Sequence, residues 1–211
     1  MAFVYPGWEG HDDFHEYLAR GYRRLGHLFY HNVCRECSAC LPIRLETERF
    51  RLSRSQKRTL QMNEDVRVVI HRQSLVTSQK LSLYRKYLHS KHAENAYGPD
   101  YDYETHLAVI HYGFAYAVEM DYYLGGRLIG VGIVDEGRDA LSSNYFYYDI
   151  DYLERRPGIF SILKEIALAR FMGKKYYYLG FYTGKTGKMS YKKFFRPNQI
   201  YEKGKWRAFM E

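Results

Sequence analysis

No stretch of this 211-residue chain approaches the ~20 consecutive apolar residues that a membrane-spanning helix needs. Nor does the N-terminus show a basic start followed by an apolar core, the pattern of a secretion signal, so the expected compartment is the cytoplasm. Cysteine is scarce: Cys34, Cys37 and Cys40 are the only three, and all fall within seven positions. An odd count so tightly grouped does not suit the disulfide framework of a secreted domain. There is no internal repeat, no low-complexity linker and no evident Ser-His-Asp arrangement. One loop, Thr183 to Met189, falls short of a phosphate-binding loop. Tyr182 stands where the first glycine would be needed, and Met189 where a Ser or Thr would be.

What is present is a globular composition with a cationic excess. Hydrophobic residues make up 46% of the chain, enough for one domain or for two small lobes sharing a core. The formal net charge is +8, from 32 basic and 24 acidic side chains. The distribution of that charge says more than its total. Arg44, Arg49, Arg51, Arg54, Lys57 and Arg58 crowd one segment, opposed by Glu46 and Glu48. Lys185, Lys188, Lys192, Lys193 and Arg196 crowd another, with no acid between them and with Tyr182, Tyr191, Phe194 and Phe195 interleaved. One basic run reads as a solvated face. Two, one of them set among aromatics, favour a nucleic acid. The 23 tyrosines serve first as core and sheet residues, with an apolar body and a polar tip.

Periodicity and breakers place the elements. Residues 11–24 read as a helix, 27–31 and 43–50 as extended, and Ser53 as the cap of a basic helix reaching about residue 63. Val66–Ile70 is a β-branched strand. Residues 77–90 form a helix with Leu81, Tyr84, Tyr87 and Leu88 on one face, and 102–111 another. Strands at 114–124 and 127–134 are joined by Gly125-Gly126, a hairpin turn. A strand at 140–148, a helix at 158–172 with Ile159, Ile162, Leu163, Ile166 and Ala169 at helical spacing, and a strand at 175–182 follow. His89 and His92 read as helix-end histidines favoured by the dipole rather than as metal ligands. Asp149 and Asp151 suit either a base or turn capping.

Three motifs in register carry a family resemblance. The first is Cys34-x-x-Cys37-x-x-Cys40-Leu-Pro42-Ile-Arg44, followed by Phe50 and Ser53-Arg54-Ser55-Gln56-Lys57-Arg58. The second is Tyr145-Phe-Tyr-Tyr148-Asp149 with Gly158-Ile-Phe-Ser161 opening a helix. The third is Tyr176-Tyr-Tyr-Leu-Gly180, then Lys188-Met189-Ser-Tyr191-Lys192 and Phe195-Arg196-Pro197. With Leu83-Tyr84-Arg85-Lys86-Tyr87 between them, they span nearly the whole chain. Together they resemble the aminoacyl-tRNA–protein transferases, both the arginyl-transferring enzymes and the bacterial aspartate/glutamate leucyltransferases. Two departures stand out. The start, Ala2 to Gly7, lacks a further cysteine-bearing segment usual in the family, and Arg155-Arg156-Pro157 replaces an uncharged run.

That resemblance implies an α/β fold of the acyl-CoA N-acetyltransferase-like (GNAT) type: a mixed, mostly antiparallel sheet flanked by helices. The order of three strands, a glycine-led helix and a further strand agrees with it. Residues 1–65 are expected as a small cysteine-bearing lobe and 66–211 as the GNAT-like core. The implied reaction moves an amino acid from the 3′ end of a charged tRNA to the α-amino group of a protein beginning with Asp or Glu, marking it for degradation. Leucine is the favoured donor amino acid, with arginine the other candidate. Neither DNA nor a membrane is expected as a partner.

The ester is already activated, so positioning supplies most of the catalysis, worth roughly 7–11 kcal/mol. An α-amino group with a pKa near ~7.7–8 does not demand a strong base. Tyr145, Tyr147, Tyr178 and Tyr182 are expected to line the cleft, where their hydroxyls would relay a proton or orient the ester. Arg54, Lys57, Arg58, Arg156, Gly158, Lys188, Lys192 and Arg196 are the candidates for holding the tRNA end. The N-terminus of a helix at Gly158 offers unpaired N–H groups to a phosphate. Arg44, Arg54 and Arg196 are the candidate forks for an acidic acceptor side chain. Lys192 and Arg196 are expected in the cleft itself.

Transfer requires no cofactor. The cysteines nevertheless suit a soft metal. Cys34, Cys37 and Cys40 would hold zinc with His31 as fourth ligand, or three corners of an iron–sulfur cluster, or remain reduced thiols. Two other functions fit the same residues: an acyl-CoA-dependent acetyltransferase, and a non-catalytic RNA-binding module with a metal knuckle.

Overall fold

The computed structural model describes residues 1–4, 14–33, 39–72, 75–91, 101–108, 114, 116–184, 187 and 189–209. It opens with β1 (Ala2–Val4), α1 (Phe14–Ala19), β2 (Arg23–Leu25) and β3 (Leu28–His31). Next come β4 (Leu41–Glu46), α2 (Arg54–Met62), β5 (Val66–His71), α3 (Ser78–Lys91) and α4 (Tyr103–Leu107). The second half holds β6 (Ala117–Leu124), β7 (Arg127–Glu136), β8 (Ala140–Tyr148), α5 (Pro157–Phe171), β9 (Tyr176–Tyr182), β10 (Gln199–Glu202) and β11 (Lys205–Ala208).

Local chemistry explains most of the boundaries. Ser53 caps α2 with a full capping box: its hydroxyl accepts from the Gln56 N–H at 3.2 Å, and the Gln56 side chain accepts from the Ser53 N–H at 2.9 Å. Asp102 caps α4 by accepting from the Thr105 N–H at 2.9 Å. Gly125 and Gly126 take φ of 54° and 85°, the paired left-handed turn that matches the twist of β6 and β7. The helix expected over 11–24 is six residues long within the described region, because the chain turns at Gly21 (φ 82°) into β2. On α3 the fully covered face is Leu83, Tyr84 and Leu88, with Leu81 and Tyr87 half-buried beside it.

Eight strands form the main sheet in the order β11-β10-β4-β9-β8-β7-β6-β5. Every neighbouring pair is antiparallel except β8 and β9, which run parallel. The boundary expected at residue 65 falls in the turn between α2 and β5. From before it, β4 enters the main sheet between β10 and β9. A second, three-stranded sheet has the order β1-β3-β2.

Alternation along the strands sorts the core. Leu141, Tyr177 and Leu179 face α5, whose Ile162, Ile166 and Ala169 pack on them in the largest cluster. Val131 and Tyr147 face α3 and α4 through Tyr84, Leu88 and Leu107. Ala140 and Tyr178 meet Phe14, Leu18 and Phe29 of α1 and β3. The small sheet is also tied to the main sheet electrostatically. Arg24 forms a bidentate pair with Asp135 of β7, at 2.9 and 2.8 Å, with both side chains 1% exposed. No described helix is long and apolar enough to cross a membrane.

Candidate active site

Strands β8 and β9 pair only from Ala140↔Tyr176 to Ser142↔Tyr178. Beyond that point each carries one extra residue against its other neighbour. Asn144 is passed over between Val134↔Ser143 and Ile133↔Tyr145, and Leu179 between Arg44↔Tyr178 and Ile43↔Gly180. A bulge bends its strand and raises the local twist, so the two strands part. Gly180, at φ 96°, completes the bend, a conformation that costs a residue with a Cβ far more. The gap is a cleft of about 870 Å³ that opens toward the first turn of α5.

The wall formed by α5 begins at Arg156, its N-cap, in the left-handed region (φ 55°, ψ 53°). Arg156 and Gly158 both line the cleft, and Arg156 Nη1 donates to the Ser55 hydroxyl of α2 at 3.0 Å. Arg155 turns away and forms a bidentate pair with Asp65, at 2.7 and 3.1 Å. Lys192 sits on the 3-10 turn Ser190–Phe194 after β9, with Tyr191 beside it, and both line the cleft. The Lys192 Nζ lies 3.0 Å from the point a Cβ on Gly180 would occupy, so the missing side chain is what admits it. Burial, then the nearby Arg23 guanidinium, push the Lys192 amine down to about 7, while Glu165 pulls the other way.

Glu165 was not singled out from sequence. It is 1% exposed on the inward face of α5, where its carboxylate accepts from Ser161 Oγ at 2.5 Å and from Tyr177 OH at 2.7 Å. Burial raises its pKa, opposed by those donors. The signal was present: an acid four residues after a serine, on the same helical face as Ile162, Ile166 and Ala169.

Of the tyrosines expected in the cleft, Tyr145 lines it, half-buried. Tyr147 packs under α3, Tyr178 packs among α1 and β3, and Tyr182 packs in the main core against Phe209. Arg44 is buried. It donates to Gln199 Oε1 at 2.8 Å and Tyr178 OH at 3.0 Å, with its guanidinium 4.0 and 4.2 Å from the Tyr176 and Trp206 ring centres. Arg196 is exposed outside the cleft lining, its Nε donating to the Lys193 carbonyl at 3.2 Å. Arg54, Lys57 and Arg58 are exposed on α2, the helix that Arg156 reaches. Lys188 lies outside the described residues. Asp149 proves to be an ion-pair hub. It is held below the ordinary carboxylate range by Lys86 (2.5 Å) and Arg127 (2.8 Å) and a turn N–H, although burial opposes them. His89 Nε2 sits 2.9 Å from Tyr103 OH, and His92 lies outside the described residues.

Cys34 and Cys37 also lie outside the described residues. Cys40 and His31 line one groove beside Phe181. One other described grouping has metal-ligand chemistry: His71, Glu119 and Asp121, with ligand atoms within 4.8 Å of one another. The Lys80 ammonium is already in it, bonded to Glu119 and 3.3 Å from Asp121, and supplies the balancing charge.

A mostly antiparallel sheet with one parallel junction, parted there beside the start of a helix, is a GNAT-like fold. A solved structure of L-PGS from Bacillus licheniformis shares the fold at a TM-score of 0.57 and 11% identity, over 93% of this chain and 62% of that one. A conserved protein of unknown function from Bacteroides thetaiotaomicron does so at 0.55 and 10%, over 76% and 57%. This chain thus spans less than two thirds of either neighbour. Residues 3–58 match the family model described as arginine-tRNA-protein transferase, N terminus, and residues 79–202 its C-terminus counterpart. An aspartate/glutamate leucyltransferase of Pseudoalteromonas atlantica is 32% identical over 204 residues, covering 96% of this chain and 87% of that one. One from a Shewanella species is 37% identical over 195 residues, covering 92% and 80%. The chain belongs to the arginine-tRNA-protein transferase family. It is an aminoacyltransferase that takes its amino acid from charged tRNA and delivers it to protein N-termini.

Proposed function

We propose that this enzyme transfers leucine from leucyl-tRNA to the α-amino group of proteins beginning with Asp or Glu, and thereby marks them for degradation in the cytoplasm. The observation that carries the reading is the parted β8–β9 cleft, where Arg156 and Gly158 at one wall face Lys192 at the other. The relatives that match most of the chain, aspartate/glutamate leucyltransferases, supply the choice of leucine and of acidic acceptors.

In this reading the 3′ end of the tRNA lies along the start of α5. Arg156 and the Gly158 backbone meet its last phosphate, and Arg54, Lys57 and Arg58 on α2 follow the strand outward. The aminoacyl ester then reaches the gap between β8 and β9. Tyr145 lines that gap and would orient the ester. The acceptor peptide then enters the cleft, with Arg196, or Arg54 in place of its tRNA role, as the exposed fork for its acidic side chain. Arg44 is engaged in the fold and supports β4 against β9 and β10. Residues 1–65 would act as a lobe that joins the core through β4.

The test is incubation with a mixture of charged tRNAs and peptides beginning Asp, Glu, Arg or Ala, followed by mass spectrometry. A mass gain of one leucine on the Asp and Glu peptides alone is expected. A gain of arginine would assign the other donor. Acetylation from acetyl-CoA without any use of tRNA would overturn the reading.

A further inference from the structure

We propose that Lys192 is the proton-transfer residue of this site, taking a proton from the attacking α-amino nitrogen and passing it to the 3′-oxygen of the tRNA, with Arg23 and Glu165 as positioning residues. The proposal rests on the transfer reading above. The balance is simple: a C–N bond forms, the C–O ester bond breaks, and the proton lost by nitrogen leaves on the 3′-hydroxyl. Nothing is oxidised or reduced.

The placement is what separates this lysine from a phosphate-binding one. Its amine lies over Gly180, where β8 and β9 part, the gap that the transfer reading assigns to the ester. Arg23 of β2 crowds the same spot: its Cζ is 3.7 Å from the Gly180 Cβ position, and its Nη1 donates to Ser142 Oγ at 2.7 Å. Ser142 is the last residue of the parallel pairing. Two cations therefore converge on one glycine. Among the described residues, the Lys192 amine donates a hydrogen bond to the sulfur of Met189, at 3.7 Å. Glu165 lines the same cleft from α5, held by Ser161 and Tyr177. Among the described residues, the charged and titratable groups facing the amine are Arg23 from β2 and Glu165 from α5, with Tyr191 next to it in its own turn. Burial first, and then a permanent cation beside the amine, disfavour its protonated form, and the carboxylate limits that effect. An amine held near neutrality is suited both to accept a proton and to return it.

The experiment uses the full chain. Lysine labelled at Cε is titrated by NMR, with the Lys192 signal assigned from Lys192→Met. Single-turnover transfer from leucyl-tRNA to a peptide beginning with Asp is followed from pH 5.5 to 9, and tRNA affinity is measured separately. The expected result is an inflection near 7 in both the NMR signal and the rate. Arg23→Gln should move it up and Glu165→Gln should move it down. Lys192→Met and Lys192→Arg should both slow transfer by about 100-fold, with tRNA affinity changed less than about threefold. Arginine keeps the charge but cannot give up a proton, so a lysine that only binds phosphate would be rescued by it. Rescue by Lys192→Arg, or an amine titrating in the ordinary lysine range while transfer proceeds, would overturn the proposal and leave the family reading intact. If the wild-type chain transfers nothing from any charged tRNA, the functional reading fails, and this proposal with it.

Discussion

Arg156 and Ser55 meet at 3.0 Å, joining the left-handed cap of α5 to the first turn of α2. The contact ties a residue that lines the cleft to α2, the helix that carries the exposed Arg54, Lys57 and Arg58. Binding of tRNA should therefore weaken steeply between low and physiological salt, because neutralising phosphates releases counterions. Lys57→Glu with Arg58→Glu should weaken all tRNAs alike. Filter binding at several salt concentrations would show both effects, and a flat salt profile would remove α2 from the tRNA path.

The Arg24–Asp135 pair joins the small sheet to β7 in a dry environment. Removing one partner strands a buried charge, so Asp135→Ala should cost about 3–5 kcal/mol. Asp135 also accepts from Asn144 Nδ2 at 2.8 Å, which links this pair to the β8 bulge. Urea denaturation should reveal the loss. A change below about 1 kcal/mol would mean that the small sheet undocks without penalty.

Ser53→Ala removes half of the capping box on α2 and should destabilise by about 1 kcal/mol. Gln56, the other half, donates to the Phe194 carbonyl at 3.2 Å, at the end of the turn that carries Lys192. Thermal melts would register the loss of stability, and transfer rates would register any loosening of that turn.

Lys192 also predicts a pH dependence of stability. Its folded pKa, about 7, lies below the ordinary 10.5. Between those values the unfolded chain holds more protons than the folded one, so this group's contribution to stability rises with pH. Below about 7 both states are protonated, and the partly desolvated charge of this half-buried lysine weighs fully against folding. Lys192→Met should thus raise the melting temperature most below pH 7, with the gain shrinking toward pH 10. Paired melts from pH 5 to 10 would check the trend, and a pH-independent difference would place the titration outside this window.

Much of this fold could be read locally. The Ser53 cap, the Gly125-Gly126 hairpin, the β-branched run at Val66 and the apolar stripe of α5 each depend on residues a few positions apart. The β10–β11 hairpin is not legible locally although Lys203-Gly204 is a turn signal, because each of its strands is only four residues long. Its place beside β4 depends on pairing with a strand from the other end of the chain.

The site divides in the same way. Sequence by itself determined the family, the two basic segments, and that Lys192 and Gly158 stand in the motifs that carry the resemblance, since these are matters of residue type and order. Only the tertiary structure decided which cations face the cleft, that Tyr147, Tyr178 and Tyr182 support the core, and that Arg44 is buried between β9 and β10. It alone brings Arg23 from the small sheet and Glu165 from α5 to the same lysine. A side chain's proton affinity is set by the charges and water around it, and here those neighbours arrive from strands and helices far apart in the chain.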